Sequence, residues 1–178
     1  MRIRALVLLG MLAIVPSVSA AEPESPIAST TIDLGMVVSN VEKSVQFYTQ
    51  AIGFTEAGGF SVNGEFSAKL GLTDKQPLDV RVLVLGKDAK ATKLKLMQLP
   101  ATKPAAGNNT FIHSQLGFRY LTIMVKDVDE ALKRLEKLEI KPVTDGAVSL
   151  PKELATGVGI IVVRDPDGNF VELVGPKK

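Results

Sequence analysis

Ile32, Leu34, Met36 and Val38 alternate with other residues, a period of two that predicts a strand with one apolar face. Asn40 follows as a helix N-cap, and Val41, Val45 and Tyr48 then recur near the helical period until Gly53 ends the run. The same order returns 87 residues on. In "RYLTIMVKDVDEALKRLEKLEI" a β-rich run reaches Asp127, whose carboxylate can pair with Glu130 as a capping box. Val128, Leu132, Leu135 and Leu138 form the apolar stripe of the helix that follows. "VVSNVEKS" and "MVKDVDEA" align without a gap.

Each copy continues into β-rich segments, "DVRVLVLG" and "LKLMQLP" in the first, "GVGIIVVRD" and "NFVELVG" in the second. "DPDG" between the last two is a turn. The pattern predicts an α+β chain with β-α-β-β-β said twice. The first module spans residues 31–99, a Pro-, Gly- and Asn-rich linker spans 100–116, and the second module spans 117–175. Two copies of so long a unit imply paired modules and not a solenoid. Residues 64–72, "GEFSAKLGL", predict a short inserted helix.

Composition narrows the setting more than the chemistry. "MRIRALVLLGMLAIVPSVSA" has Arg2 and Arg4, an apolar run from Ala5 to Val15, and small residues at Val18 and Ala20 suited to cleavage. Residues 1–20 therefore read as a signal peptide and 21–30 as a flexible stretch, with export to the periplasm or medium. The apolar run falls short of the roughly 20 residues of a membrane span, so stable insertion after cleavage is not expected; an uncleaved anchor is the alternative. Without the two leader arginines, the 21 basic residues fall to 19 against 19 acidic ones, which removes any electrostatic reason to expect nucleic acid. The chain has no cysteine, so disulfides and thiolate ligands are excluded and stability must come from burial.

"VVSNVEKSVQFYTQAIGF", "VKDVDEAL" and "RDPDGNFVEL", in that order, resemble the vicinal oxygen chelate superfamily, which includes glyoxalase I, methylmalonyl-CoA epimerase, extradiol dioxygenases and bleomycin-resistance proteins. "FSAKLGLTDKQPLDVRVLVLG" looks like the glyoxalase and epimerase branch. The resemblance implies that the two βαβββ modules pair into a half-open, barrel-like cavity. In metal-dependent members a His on the first strand and a Glu on the last strand of each module hold the ion. Carried over by position, those places fall on Asp33, Lys95, Tyr120 and Glu172. Only Glu172 keeps the family's residue.

That set is a poor cage. Lys95 is a cation without an acceptor, and a neutral tyrosine is a weak ligand. The expectation is that the Lys95 ammonium stands where the metal's charge would be, flanked by Asp33 and Glu172, with Tyr120 adding a hydroxyl. No cofactor is expected; a divalent ion on Asp33 and Glu172 is the alternative. Alternation puts Lys95 with Met97, Glu172 with Phe170 and Val174, and Tyr120 with Phe118, Thr122 and Met124, so the cavity is expected to be apolar around a charged cluster.

Arg81, between apolar neighbours, either meets an anionic ligand in the cavity or forms an edge-strand salt bridge. His113 lies off the repeat register and reads as a linker or rim residue; Asp165 and Asp167 serve the turn. The sequence thus predicts metal-independent binding of a small molecule. A metal-dependent lyase, isomerase or dioxygenase of the glyoxalase type is the alternative, and a structural or partner-binding module the third. A homodimer is left open.

Overall fold

The computed structural model describes residues 26–178; the expected signal peptide and residues 21–25 lie outside the described residues. Residues 26–30 carry no helix or strand, and residues 31–178 form the unit that holds both sheets. In the first module β1 (Leu34–Val37) leads to α1 (Val41–Gln46), whose winding loosens to a π-helix over Phe47–Ile52. There follow β2 (Thr55–Val62), α2 (Gly64–Lys69), β3 (Leu78–Val84) and β4 (Lys93–Gln98). The second module has β5 (Tyr120–Met124), α3 (Val128–Lys137), β6 (Val148–Ser149), β7 (Val158–Arg164) and β8 (Phe170–Pro176).

The expected α+β architecture of two βαβββ modules is met. The sheets are four-stranded, ordered β1-β4-β3-β2 and β5-β8-β7-β6, and they do not close into a barrel. In each, the first strand runs parallel to the last, which a helix crossover permits, and the remaining pairs are antiparallel. The repeat is exact at the ladder. Gly35 faces Lys95 in the first sheet, and Thr122 faces Glu172 at the corresponding rung of the second.

Local chemistry explains the elements. Asn40 accepts from the Lys43 N–H at 3.0 Å, and Asp127 accepts from the N–H groups of Asp129 and Glu130, each closing an open helix start. The reciprocal half of the capping box is missing, because the Glu130 carboxylate turns to Lys133 at 2.8 Å. Gly53 ends the first helix at φ 105°, a left-handed conformation that glycine adopts without a Cβ penalty. In β2 a register shift between Glu56 and Gly59 bends the strand so that a Cβ on Gly59 would lie 2.4 Å from the Val80 carbonyl oxygen. The first strand is shorter than its alternation predicts, since Ile32 is largely exposed and unpaired by the sheet.

One contiguous core joins the modules. Tyr48, Ala51 and Ile52 of the first helix, Val128, Ala131 and Leu135 of α3, and the covered sheet residues Leu83, Leu94, Leu96, Ile161, Val163, Val171 and Leu173 all belong to it. Each sheet is thus sealed by helix on one face, and the other is more accessible, although Leu78, Val80 and Phe170 on it are buried. The α3 stripe turns slightly from its expected line. Ala131 is buried and Leu132 only partly so, while Leu138 stands at the exposed end.

Candidate functional site

The open faces carry the residues that alternation assigns to them. Leu94 and Leu96 are fully buried under the helix, so Lys95 between them and Met97 after them face the other way. Val171 and Leu173 are fully buried in β8, which leaves Phe170, Glu172 and Val174 on the open side, beside Tyr120, Thr122 and Met124 of β5. From β7, Ile160, Val162 and Arg164 share that face through their register with Val174, Glu172 and Phe170. This is a broad, accessible surface: Tyr120 is 51% and Met124 73% exposed.

The charges divide in a way that corrects the expected cluster. The Lys95 ammonium lies 3.1 Å from the Asp33 carboxylate, both about one-third exposed. This hydrogen bond, above all, holds the Asp33 carboxyl below its ordinary pKa of 3.8, against a smaller opposing effect of desolvation. Glu172 does not flank Lys95. It accepts from the Thr122 hydroxyl at 2.7 Å and has no ion pair among the described residues. The Tyr120 hydroxyl likewise has no hydrogen-bond partner among the described residues and adds nothing to the Lys95–Asp33 pair. The reason is topological: Lys95 and Glu172 occupy equivalent rungs of two different sheets and not neighbouring positions in one.

Arg81 also needs correction as a ligand-binding residue. It pairs with Leu96 across the β3–β4 ladder, on the helix-covered side, and donates to Glu42 of α1 at 2.6 Å and to Glu56 of β2. Of its two alternatives, the salt bridge is the one present. The Glu56 hydrogen bond is the main cause that raises the Arg81 pKa. His113 stacks on Phe111, ring centroids 5.5 Å apart, in the segment before β5 and outside the sheets.

These residues do not fit a divalent ion. An ammonium occupies one of the four places, Asp33 is engaged by it, and among the described residues no group of three or more His, Asp or Glu side chains could hold a metal. What the surface offers is a neutralised ion pair on one sheet and a carboxylate set in an apolar field on the other.

Two roles escaped the sequence pattern. Asp165 is more than a turn residue: 5% exposed, it accepts from the Tyr48 hydroxyl at 3.0 Å, from the Asn169 amide at 2.9 Å, and from the backbone N–H groups of Asp167 and Asn169. Burial first, then the Asp165 charge, push the Tyr48 phenol well above its ordinary range. Asp167 accepts from the Ser39 N–H, so the turn of the second module fastens the first module at two points. A tyrosine among the apolar positions of the first helix is the signal that could have been read. The second role belongs to Arg164 and Arg119, which donate to linker carbonyls, Arg164 to Asn109 and Thr110, Arg119 to Asn108 and Ile112. Arg164 also lies over the Phe170 ring at 4.1 Å.

A family model described as the Glyoxalase/Bleomycin resistance protein/Dioxygenase superfamily matches residues 30–173. Among solved structures, a glyoxalase family protein from Bacillus cereus is similar at 18% identity and a TM-score of 0.70, over 88% of this chain and 100% of that one. Glyoxalase I from Zea mays is similar at 15% identity and a TM-score of 0.59, over 82% of this chain but 46% of that one. A lactoylglutathione lyase from Agrobacterium tumefaciens matches at 20% identity and a TM-score of 0.50, over 85% and 96%. At these identities the likeness is one of fold. Curated proteins yield no match.

Proposed function

This chain belongs to the Glyoxalase/Bleomycin resistance protein/Dioxygenase superfamily, and on that premise we propose that it is an exported protein that binds a small molecule on its open face without a metal ion. One observation carries the reading. The rung that holds Glu172 in the second sheet holds Lys95 in the first, and the Lys95 ammonium is already bound to Asp33. A fixed cation at that place repels a divalent ion and supplies no ligand atom. Export rests on the leader-like pattern of residues 1–20.

The test is the metal content of protein purified without chelators or an affinity tag, together with a thermal-shift screen of small molecules. Substoichiometric metal with a ligand-dependent rise in Tm is expected; stoichiometric nickel, zinc, manganese or iron overturns the reading. Mass spectrometry of the exported protein is expected to find a chain beginning at Ala21.

A second reading has its own support. Leu116 and Phe118 are fully exposed just before β5, an apolar surface that a second copy could cover. Light scattering on the eluting protein checks it, with a dimer mass expected if the reading holds.

A further inference from the structure

We infer that the open face of the second sheet takes a small amphiphilic monocation, its apolar body lying on the sheet and its ammonium group on Glu172. The inference rests on the preceding reading that this face binds a small molecule, and names the ligand's class.

The argument begins from an imbalance. Glu172 has one neutral partner, the Thr122 hydroxyl, and no cation among the described residues. Its neighbours on the same face are apolar: Val162 across the β7 rung, Val174 two residues on, Ile160 beside Val174, and Met124 at the end of β5. A ligand that lays its apolar body on these neighbours displaces water from beside the carboxylate, and the attraction between Glu172 and the ligand's cation strengthens as that water leaves.

The other charges on the open faces do not supply it. The Lys95 charge is spent on Asp33. Arg164, one rung from Glu172 along β7, lies over Phe170 and directs its N–H groups at the carbonyls of Asn109, Thr110 and Gly168. On the first sheet Lys95 is paired with Asp33 and Lys93 stands near the same carboxylate; on the second sheet Arg164 is held by the linker, which leaves Glu172 as that sheet's unmatched charge among the described residues.

The surroundings suit an ammonium head. Thr122 donates its only hydroxyl hydrogen to Glu172, so its oxygen keeps lone pairs for a ligand N–H. Tyr120 lies on the same face, diagonal to Glu172 across the β5–β8 ladder, with its ring half exposed. Its π-face can take the other side of the same cation. The Met124, Ile160, Val162 and Val174 side chains then offer the apolar platform.

Three probes of one shape separate charge from shape: 4-phenylbutylamine, its neutral N-acetyl derivative, and 4-phenylbutyrate. Each is titrated by calorimetry into the mature chain. With no tryptophan in the chain and Tyr48 buried, Tyr120 emission gives a second, local readout. The amine is expected to bind about tenfold tighter than the amide, and the butyrate weakest. Glu172→Gln is expected to erase the amine's advantage while leaving the amide unchanged. Thr122→Val should weaken the amine in the same sense, and added salt should reduce its lead in the unmutated chain.

Amine and amide binding equally, or an amine affinity indifferent to Glu172→Gln, overturns the inference while the small-molecule reading stands. Failure of all three probes to bind counts against both. Tighter binding of the butyrate reverses the assigned charge and overturns the inference outright.

Discussion

The two modules are one pattern folded twice, and they differ most where their ladders are most alike. At the rung where Gly35 faces Lys95, the first sheet holds a cation matched by Asp33; at the rung where Thr122 faces Glu172, the second holds an anion matched by a hydroxyl. The helices differ in the same manner. Tyr48 in the first stands where the repeat puts Leu135 in the second, and both are fully buried. Backbone geometry is therefore conserved between the copies by the buried apolar rows, while the polar residues between those rows are free to diverge. The open face and the joint between modules are therefore separate parts of the molecule: the polar residues of one are not engaged in the other, and the joint fixes the fold.

Breaking the joint has the largest expected effect. Asp165→Ala strands the Tyr48 hydroxyl, the Asn169 amide and two backbone N–H groups in a buried place. Each such group costs about 1–3 kcal/mol, some of it recovered by relaxation, so a total loss of about 4 kcal/mol is expected in denaturant unfolding. Tyr48→Phe removes one donor and leaves Asp165 three others, for a loss of about 1–2 kcal/mol.

The same tyrosine has a pH signature. Its folded pKa is raised above the ordinary value of 10.0, so its contribution is whole below pH 10 and is lost as pH rises beyond it. The unmutated chain should therefore lose stability above pH 10 by more than Tyr48→Phe does. Equal losses would show that Tyr48 is not held as a neutral phenol.

These results bear on how much the sequence disclosed. The ladder rungs were legible because Leu94, Leu96, Val171 and Leu173 leave no alternative for the residues between them, and a repeat fixes register twice. Two of the strands were not. β6 has two residues, and β2 runs through "TEAGGFSV", where Gly58 and Gly59 interrupt the alternation to make a bulge. The charged cluster misled for a different reason. Family positions state which residues line the open face of each module, but not whether charges on the two sheets come within reach of one another. Asp165 was hidden by its motif, since a turn such as "DPDG" accounts for an aspartate without any distant partner.

The helix-covered face of the first sheet sharpens the contrast at smaller cost. Arg81 ties α1 to β2 through Glu42 and Glu56, whereas in the second module the ion pair is at the end of the sheet, between the α3 cap Asp127 and Lys178 just past β8. Arg81→Met should cost about 0.5–1 kcal/mol, because the group is one-third exposed and its aliphatic stem is largely replaced. Ligand affinity on the open face should not change. If it falls, the assignment of Arg81 to the covered face is wrong.

The smallest effect tests the division of charge directly. The Asp33 pKa is depressed chiefly by its hydrogen bond from Lys95, so the pair's contribution exists above pH 3.8 and disappears as pH falls through the lower folded value. Lys95→Ala should therefore lower the denaturant midpoint slightly at pH 7, and its effect should shrink as pH falls below 3.8 and Asp33 is protonated. Combined with Glu172→Gln, the shift at pH 7 should be the simple sum of the two single shifts, because the two side chains share no partner. A double variant more stable than that sum would mean that Lys95 and Glu172 act on each other across the sheets. The two charges would then form one centre, and the carboxylate of the second sheet would no longer be free for a ligand.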